Sequence, residues 1–434
     1  MKEKLFYSLL FCSKLIIFLL TAGIFFFVTK LNLKSEWIDV SPKSLNLNET
    51  IYDISFLDND TAYAVGWSSF RSVILKTTNA GKDWQIEEVK GFYFFSVEAT
   101  PEKIYIVGYS ARCMCGVLYY SVDNGEKWNF YEFDGEKMPL TFGAMKIRKD
   151  NDNKFFVTGF NGFIVYSEDD GESWEYSKTN NNTDIFRDII FLNKNNYLSL
   201  AGENAIFSDK IFFSSNSGKT WRIYSDFSDK QISISGWHFF NSDTGFIFGI
   251  GNGQEAIFKT NDGAKSWDQV YQGEIGNTLS DGLFIDDMIG FTAKGNGLLL
   301  QTTDGGINWF NVQSPSKNNI RGFRAFNKDG LNIVFAYGDN GTILKFSIVS
   351  SVENSNTEII LSPNPAEANI ELELKNHTFY KRAEIYNLLG EKVKMISEFG
   401  EKNFINIGNL PFGLYVLVLY NNYGEITSIK FQKK

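Results

Sequence analysis

The chain has 434 residues, 43 % of them hydrophobic and 16 % aromatic, with Phe and Tyr far outnumbering Met and Cys. That length holds two or more domains with ample core, and aromatic, Gly-punctuated composition suits strands better than helices. The net charge of −9 is spread along the sequence without a basic block, which sets nucleic acid aside as a partner.

Residues 1–30 stand apart. Lys2, Lys4 and Lys14 precede an apolar run of fourteen residues from Leu15 to Val28, closed by Lys30. Such a run is short for a membrane span and suits the core of a secretory signal. No small-x-small cleavage site follows, so a signal peptide and an uncleaved anchor both stay open, and either exports the chain. Phe11 before Cys12 is too bulky for a good lipoprotein signal.

From residue 36 the pattern is β. "EWIDVS" alternates, and then "IYDISF", "AYAVGW", "SVILKTT" and "WQIEEV" follow as four short strands. The third and fourth are joined by a polar box, "TTNAGKDW", in which Thr77, Asn79, Gly81 and Trp84 hold fixed places. The second unit repeats it as "SVDNGEKW" (Ser121, Asp123, Gly125, Trp128) and the third as "SEDDGESW" (Ser167, Asp169, Gly171, Trp174). The fourth has "SSNSGKTW" (Ser214, Asn216, Gly218, Trp221), and the fifth has "TNDGAKSW" (Thr260, Asp262, Trp267). The sixth reads "TTDGGINW" (Thr302, Asp304, Gly306, Trp309). Successive box tryptophans lie 44, 46, 47, 46 and 42 residues apart. A period near 45 with four strands per unit is the signature of propeller blades.

Each box reads as a tight hairpin turn. Its Ser or Thr hydroxyl and its Asp or Asn oxygen accept backbone N–H groups, Gly supplies positive φ, and Trp buries a ring between blades. In the fifth box Ala264 replaces that Gly, so Gly263 is expected to take over and this hairpin to be the loosest. A seventh unit, "NNIRGFRAFNKDG", "NIVFAYGDNG" and "TILKFS", offers only three strands. "EWIDVS" resembles "WQIEEV" and supplies the fourth, closing a ring of seven blades over residues 36–348.

These boxes resemble the Asp boxes of BNR-repeat propellers, a family that includes sialidases, sortilin-like receptors, xyloglucanases and photosystem-assembly factors. The resemblance implies an all-β, seven-bladed propeller whose boxes are structural and whose ligand sits on the opposite face. It does not choose an activity.

On that opposite face each innermost strand begins. Aligning units on "DISF" puts Asp53, Gly143, Asp188, Gly236, Asp281 and Gly322 at one place around the axial mouth, with Arg187 and Arg321 just before two of them. Small residues would open the mouth and charges would make it a polar funnel; alternatively, the aspartates merely cap the preceding loops. Two longer loops, "GWSSFRS" and "GYSARCMCG", add Trp67, Phe70, Arg71, Tyr109 and Arg112. Aromatics beside arginines suit stacking on sugars or peptide side chains, although Trp67 alone fits a minor core role. Cys113 and Cys115 in the second loop are either a strained i,i+2 disulfide or two small loop residues; two thiolates alone make a poor zinc site.

Residues 349–358 read as a polar linker. Residues 359–434 alternate again, with Pro, Gly and Asn at the turns, as a small β-sandwich. Pro363-Asn364-Pro365, then Tyr386-Asn387 with Gly390, Leu410 with Gly413 and Tyr415, and terminal lysines including Lys430 closely resemble the type IX secretion C-terminal sorting domain. That resemblance implies passage across the outer membrane by the type IX machinery, followed by release or surface attachment.

Chemistry has little to work with. The two histidines are His238, in a strand, and His377, in the tail, and no metal cluster, phosphate loop or nucleophile elbow is present. A sialidase needs an arginine triad and an Arg-Ile-Pro stretch; the chain has eight arginines and no "RIP". A xyloglucanase-like inverting site needs two carboxylates about 6.5–9.5 Å apart across a groove, in enzymes built from paired propellers. The reading favours a cofactor-free, non-enzymatic exported propeller that binds an unidentified protein or glycan at its box-free face. The alternatives are a glycan-active hydrolase using the axial aspartates and an envelope assembly or chaperone factor.

Overall fold

Alternating apolar residues on short strands need a second sheet to cover them, and a ring of sheets lets every face be covered by a neighbour. The computed structural model describes residues 34–434 except 44–47, 69–70, 134–142, 182, 204–206, 286, 329–330, 350–358, 375–379, 388–391, 397–401 and 422–425. Residues 34–349 form seven four-stranded antiparallel sheets in chain order. The first blade runs Thr50–Phe56, Ala62–Ser68, Arg71–Thr77 and Gln85–Val89 from the axis outward. The seventh takes Ile320–Lys328, Leu331–Gly338 and Ile343–Val349 from the end of the propeller, and Lys34–Asp39 from its start. Trp37 pairs with Phe346, so the ring closes as the alternation predicts. Residues 1–30, Phe70, most of the linker, His377 and Gly390 lie outside the described residues.

Seven tryptophans stand in the seven seams between blades. Trp84, Trp128, Trp174, Trp221, Trp267 and Trp309 each pack with a cluster shared by their own blade and the one before. Trp37, on the closing strand, fills the last seam against Phe291 and Phe323. Most of these rings are half-buried, while Trp37 and Trp221 are fully covered.

The boxes form one repeated bond set. The first-position hydroxyl donates to the third-position oxygen and accepts the fifth-position N–H, and the third-position oxygen accepts the seventh-position N–H. In the first box these are 3.0, 2.9 and 2.9 Å; in the sixth they are 2.9, 3.0 and 2.9 Å. The fifth box is not looser, since its bonds are 2.9, 3.0 and 2.9 Å and Ser266 adds another to Asp262. Gly263 does not replace Ala264; both take positive φ, 73° and 68°.

The reason lies across the seam. A methyl group on the other box glycines would meet an aromatic ring of the preceding blade: Phe335 at 3.0 Å for Gly81, Phe156 at 2.3 Å for Gly218, Phe246 at 2.7 Å for Gly306. The residue matching Phe156 and Phe246 in the fourth blade is Leu198, which shares a fully buried cluster with Ala264. Alanine is admitted where its neighbour is smaller, and the methyl is buried in return for a left-handed backbone.

The tail is a two-sheet sandwich. Three strands (Ile359–Ser362, Asn369–Leu374, Lys402–Asn406) face four (Lys392–Ile396, Tyr380–Asn387, Gly413–Asn421, Ile426–Lys433) over a core that includes Ile370, Leu372, Ile385, Leu417 and Phe431. Asn364, between Pro363 and Pro365, accepts Gln432 N–H at 2.9 Å and donates to the Lys430 carbonyl at 3.1 Å. Tyr415 stacks on Phe431 and donates to the Pro411 carbonyl, and Gly413 opens its strand at φ 150°.

Candidate functional site

Six inner strands carry a bulge at the same place. The register slips at Tyr52, Phe95, Met145, Arg187, Ser235 and Arg321. A bulge leaves one residue unpaired and re-aims its side chain. All six of these residues line one axial cavity of about 220 Å³, together with Lys146, Asp188, Trp237, Asp281 and Tyr337. The cavity opens where the inner strands begin. The boxes lie at the other end, bonded to the turns between first and second strands, as Ala80 N–H is to the Asp60 carbonyl.

The residue after each bulge turns inward, and here the alignment from sequence needs correction. In the third blade that position is Lys146, three residues beyond Gly143, and in the second it is Ser96. The glycines do not widen the mouth. A Cβ on Gly236 would sit 2.1 Å from Asp281 Oδ1, and one on Gly322 would sit 2.5 Å from the Tyr337 hydroxyl. The missing side chain makes room for a polar group of the neighbouring blade at Gly236 and of the paired strand of the same blade at Gly322.

Asp53 is fully buried and bound by Lys146 at 3.2 Å, Arg148 at 3.4 Å, the Ser96 hydroxyl at 2.6 Å and the Tyr337 hydroxyl at 3.3 Å. Burial alone would raise its pKa, but Lys146, Arg324 and Arg148 hold it well below the usual carboxylate range. Asp188 is ion-paired with Arg148 at 3.2 Å and accepts the Trp237 indole N–H at 3.2 Å. These two aspartates cross-link blades around the axis rather than capping loops.

Asp281 differs. Desolvation lifts its pKa to about 7, opposed by the Gly282 and Phe323 N–H groups and by Lys146. Beside it Arg187 is pushed down to about 10 by the same desolvation, with Asp188 and Asp281 opposing. Arg187 reaches only the Ile234 carbonyl, at 3.4 Å, and among the described residues its buried Nε has no acceptor.

The remaining candidates divide. Trp67 is half-buried and stacks on Tyr52 at 5.6 Å and 7°, with Phe95 and Tyr93 edge-on, and Tyr93 in turn meets Tyr109. The Trp67 indole N–H is also without an acceptor among the described residues. Arg321 pairs with Asp339 at 2.8 Å but stays half-exposed at the cavity rim. Arg71 is tied to buried Glu49 at 2.7 Å and to Glu88; Arg112 is tied to Glu132 and lies over Phe130. Both arginines hold loops rather than reaching into the cavity. Cys113 and Cys115 are joined by a disulfide. His238 packs against Phe240 and Phe284, and burial lowers its pKa to about 4.

Reasoning from sequence missed Tyr52, Phe95, Met145 and Ser235. The one available signal was that Arg187 and Arg321 precede equivalent positions; extending that offset reaches Tyr52 and Ser235, but not Met145, because the third blade was aligned at Gly143, nor Phe95, because the second blade was not aligned.

Residues 30–347 match the family model described as photosynthesis system II assembly factor YCF48, and residues 361–434 match the secretion system C-terminal sorting domain. A photosystem II assembly lipoprotein Ycf48 of Synechococcus sp. (strain CC9902) is 23 % identical over 304 residues, covering 68 % of this chain and 84 % of the relative. Among solved structures, a YCF48 bound to D1 peptide matches at TM-score 0.56 and 16 % identity over 73 % of this chain and 99 % of that one. PorZ, a surface component of the type IX secretion system of Porphyromonas gingivalis, matches at TM-score 0.54 and 13 % identity over 88 % of this chain and 59 % of that one.

Proposed function

Since the chain belongs to the family of photosynthesis system II assembly factor YCF48, we propose that it is an exported propeller whose axial cavity binds a segment of a partner polypeptide. Its sorting domain marks it for type IX export to the cell surface or beyond. The observation that carries the binding reading is the convergence of six bulge residues on one cavity, whose lining includes the buried Arg187 Nε, without an acceptor among the described residues. Unsatisfied buried donors are rare in native structures and suit a ligand that brings carbonyl or carboxylate oxygens. The aromatic rim of Tyr52, Trp67 and Phe95 suits an apolar side chain beside them. A YCF48 solved with a bound peptide supports the same ligand class.

Binding of envelope material to the secreted chain should fall about tenfold or more with Trp67→Ala and Arg321→Ala, and stay unchanged with Asp304→Ala in a box. The reverse pattern would place recognition on the box face. A glycan array run on the same proteins separates sugar from polypeptide.

One observation favours the hydrolase reading: a carboxyl near pKa 7 is suited to acid catalysis. Asp53 and Asp188, however, are each held by cations. Turnover of a fluorogenic glycoside that disappears in Asp281→Asn would establish the hydrolase instead.

A further inference from the structure

A larger recess, about 640 Å³, lies far from the axis between the outer strands of the second and third blades. Its floor is Leu118 and Tyr105, and its walls are Tyr120 and Trp174. Tyr131 and Tyr176 stand at its rim, 49 % and 37 % exposed.

The seam before it shows why this one is open. There the corner tryptophan, Trp128, donates its indole N–H to Glu87 on the preceding blade's outer strand, at 2.9 Å, which closes the gap. The residue three after the box tryptophan is Glu87 in the first blade and Tyr131 in the second. A tyrosine ring offers no carboxylate, so Trp174 bonds back to its own turn, to the Gly171 carbonyl at 3.2 Å. The third blade's outer strand is only Glu175–Tyr176, which leaves the recess uncovered.

Its charge is one-sided. Among the described lining residues Lys103 is the single cation, bound to Asp170 at 3.2 Å and Glu172 at 3.5 Å, while the Glu175 carboxylate accepts the Tyr166 hydroxyl on the other side of the sheet. One positive charge against two negative leaves an excess of one negative charge among aromatic faces. Aromatic faces and carboxylates together attract an ammonium or guanidinium group, and neutral sugars gain nothing from the excess charge.

We propose that this groove is a second binding site, which takes an arginine or lysine side chain presented on an extended segment of a partner polypeptide. The cation enters between Tyr131 and Tyr176, stacks against them and faces Glu172. This site does not depend on the axial one.

The test uses the full secreted chain and a fluorescein-labelled Ac-Gly-Arg-Gly-Lys-Gly-Arg-Gly-amide, followed by anisotropy at low salt. Saturable binding is expected that weakens with added salt. Tyr131→Ala with Tyr176→Ala should lower affinity about tenfold or more, and Glu172→Lys should do so too. Both rims are exposed, so folding should hold, and the Tyr131→Phe, Tyr176→Phe pair should bind within about twofold of the parent. Trp67→Ala at the axial rim should leave affinity unchanged. Absence of binding, equal binding of a peptide with Gln for Arg and Lys, tighter binding of cellohexaose, or sensitivity to Trp67→Ala but not to the tyrosine changes would each overturn the proposal.

Discussion

Asp281 is a carboxyl whose charge the fold suppresses. Its pKa in the folded chain, about 7, lies above the ordinary 3.8, so between those values the native state holds more protons than the unfolded one. Stability therefore falls as pH rises through that window, and the loss is complete above it. Asp281→Asn keeps an acceptor for the Phe323 N–H and removes the charge. Thermal melts should show Tm several degrees higher than the parent near pH 8, and within about 1 °C near pH 4. An equal shift at both pH values would mean that the carboxyl titrates normally. Box carboxylates behave oppositely. Asp169 and Asp262 are held near 2, first by the Ser173 and Ser266 hydroxyls, so what they contribute is present above about pH 4 and lost as pH falls through 2.

At the scale of an element, the box turn is set as much by the facing blade as by its own residues. Leu198→Phe should cost about 1–3 kcal/mol, because the new ring meets the Ala264 methyl. Ala264→Gly alone should be within about 1 kcal/mol of neutral, as lost methyl burial offsets relief of the left-handed backbone. The double variant should recover at least about 1 kcal/mol of the first loss in urea unfolding. Strict additivity would mean that the two side chains do not meet. The boxes, their period and the seven seam tryptophans were legible in the sequence because they recur with fixed residue types. The bulges were not: an extra residue in an alternating strand leaves no mark in composition, which is how Gly143 was aligned where Lys146 stands. The partners of Arg71 and Arg112 were equally hidden, since Glu49 and Glu132 come from other strands or loops.

For the whole molecule, closure rests on Trp37 and the strand that carries it. Trp37→Ala removes a ring in contact with Phe291, Phe323 and Phe346 and should cost about 3–5 kcal/mol. Without Lys34–Asp39 the strand Ile343–Val349 becomes an open edge, so size-exclusion chromatography of that deletion should show aggregation. Deleting residues 359–434 should retain the propeller inside the outer membrane on fractionation, because the sorting domain would be gone. Closure brings six bulges, up to 269 residues apart in sequence (Tyr52 to Arg321), onto one axis, where the proposed binding site lies. The most direct measurement of that role is photo-cross-linking from the axis. A benzoylphenylalanine placed at Met145, inside the cavity, should give an adduct with one segment of a partner polypeptide, identified by mass spectrometry. The same group at Ile307, exposed on a box turn, should give none. Adducts from Ile307 alone, or a sugar rather than a polypeptide at Met145, would contradict the axial reading.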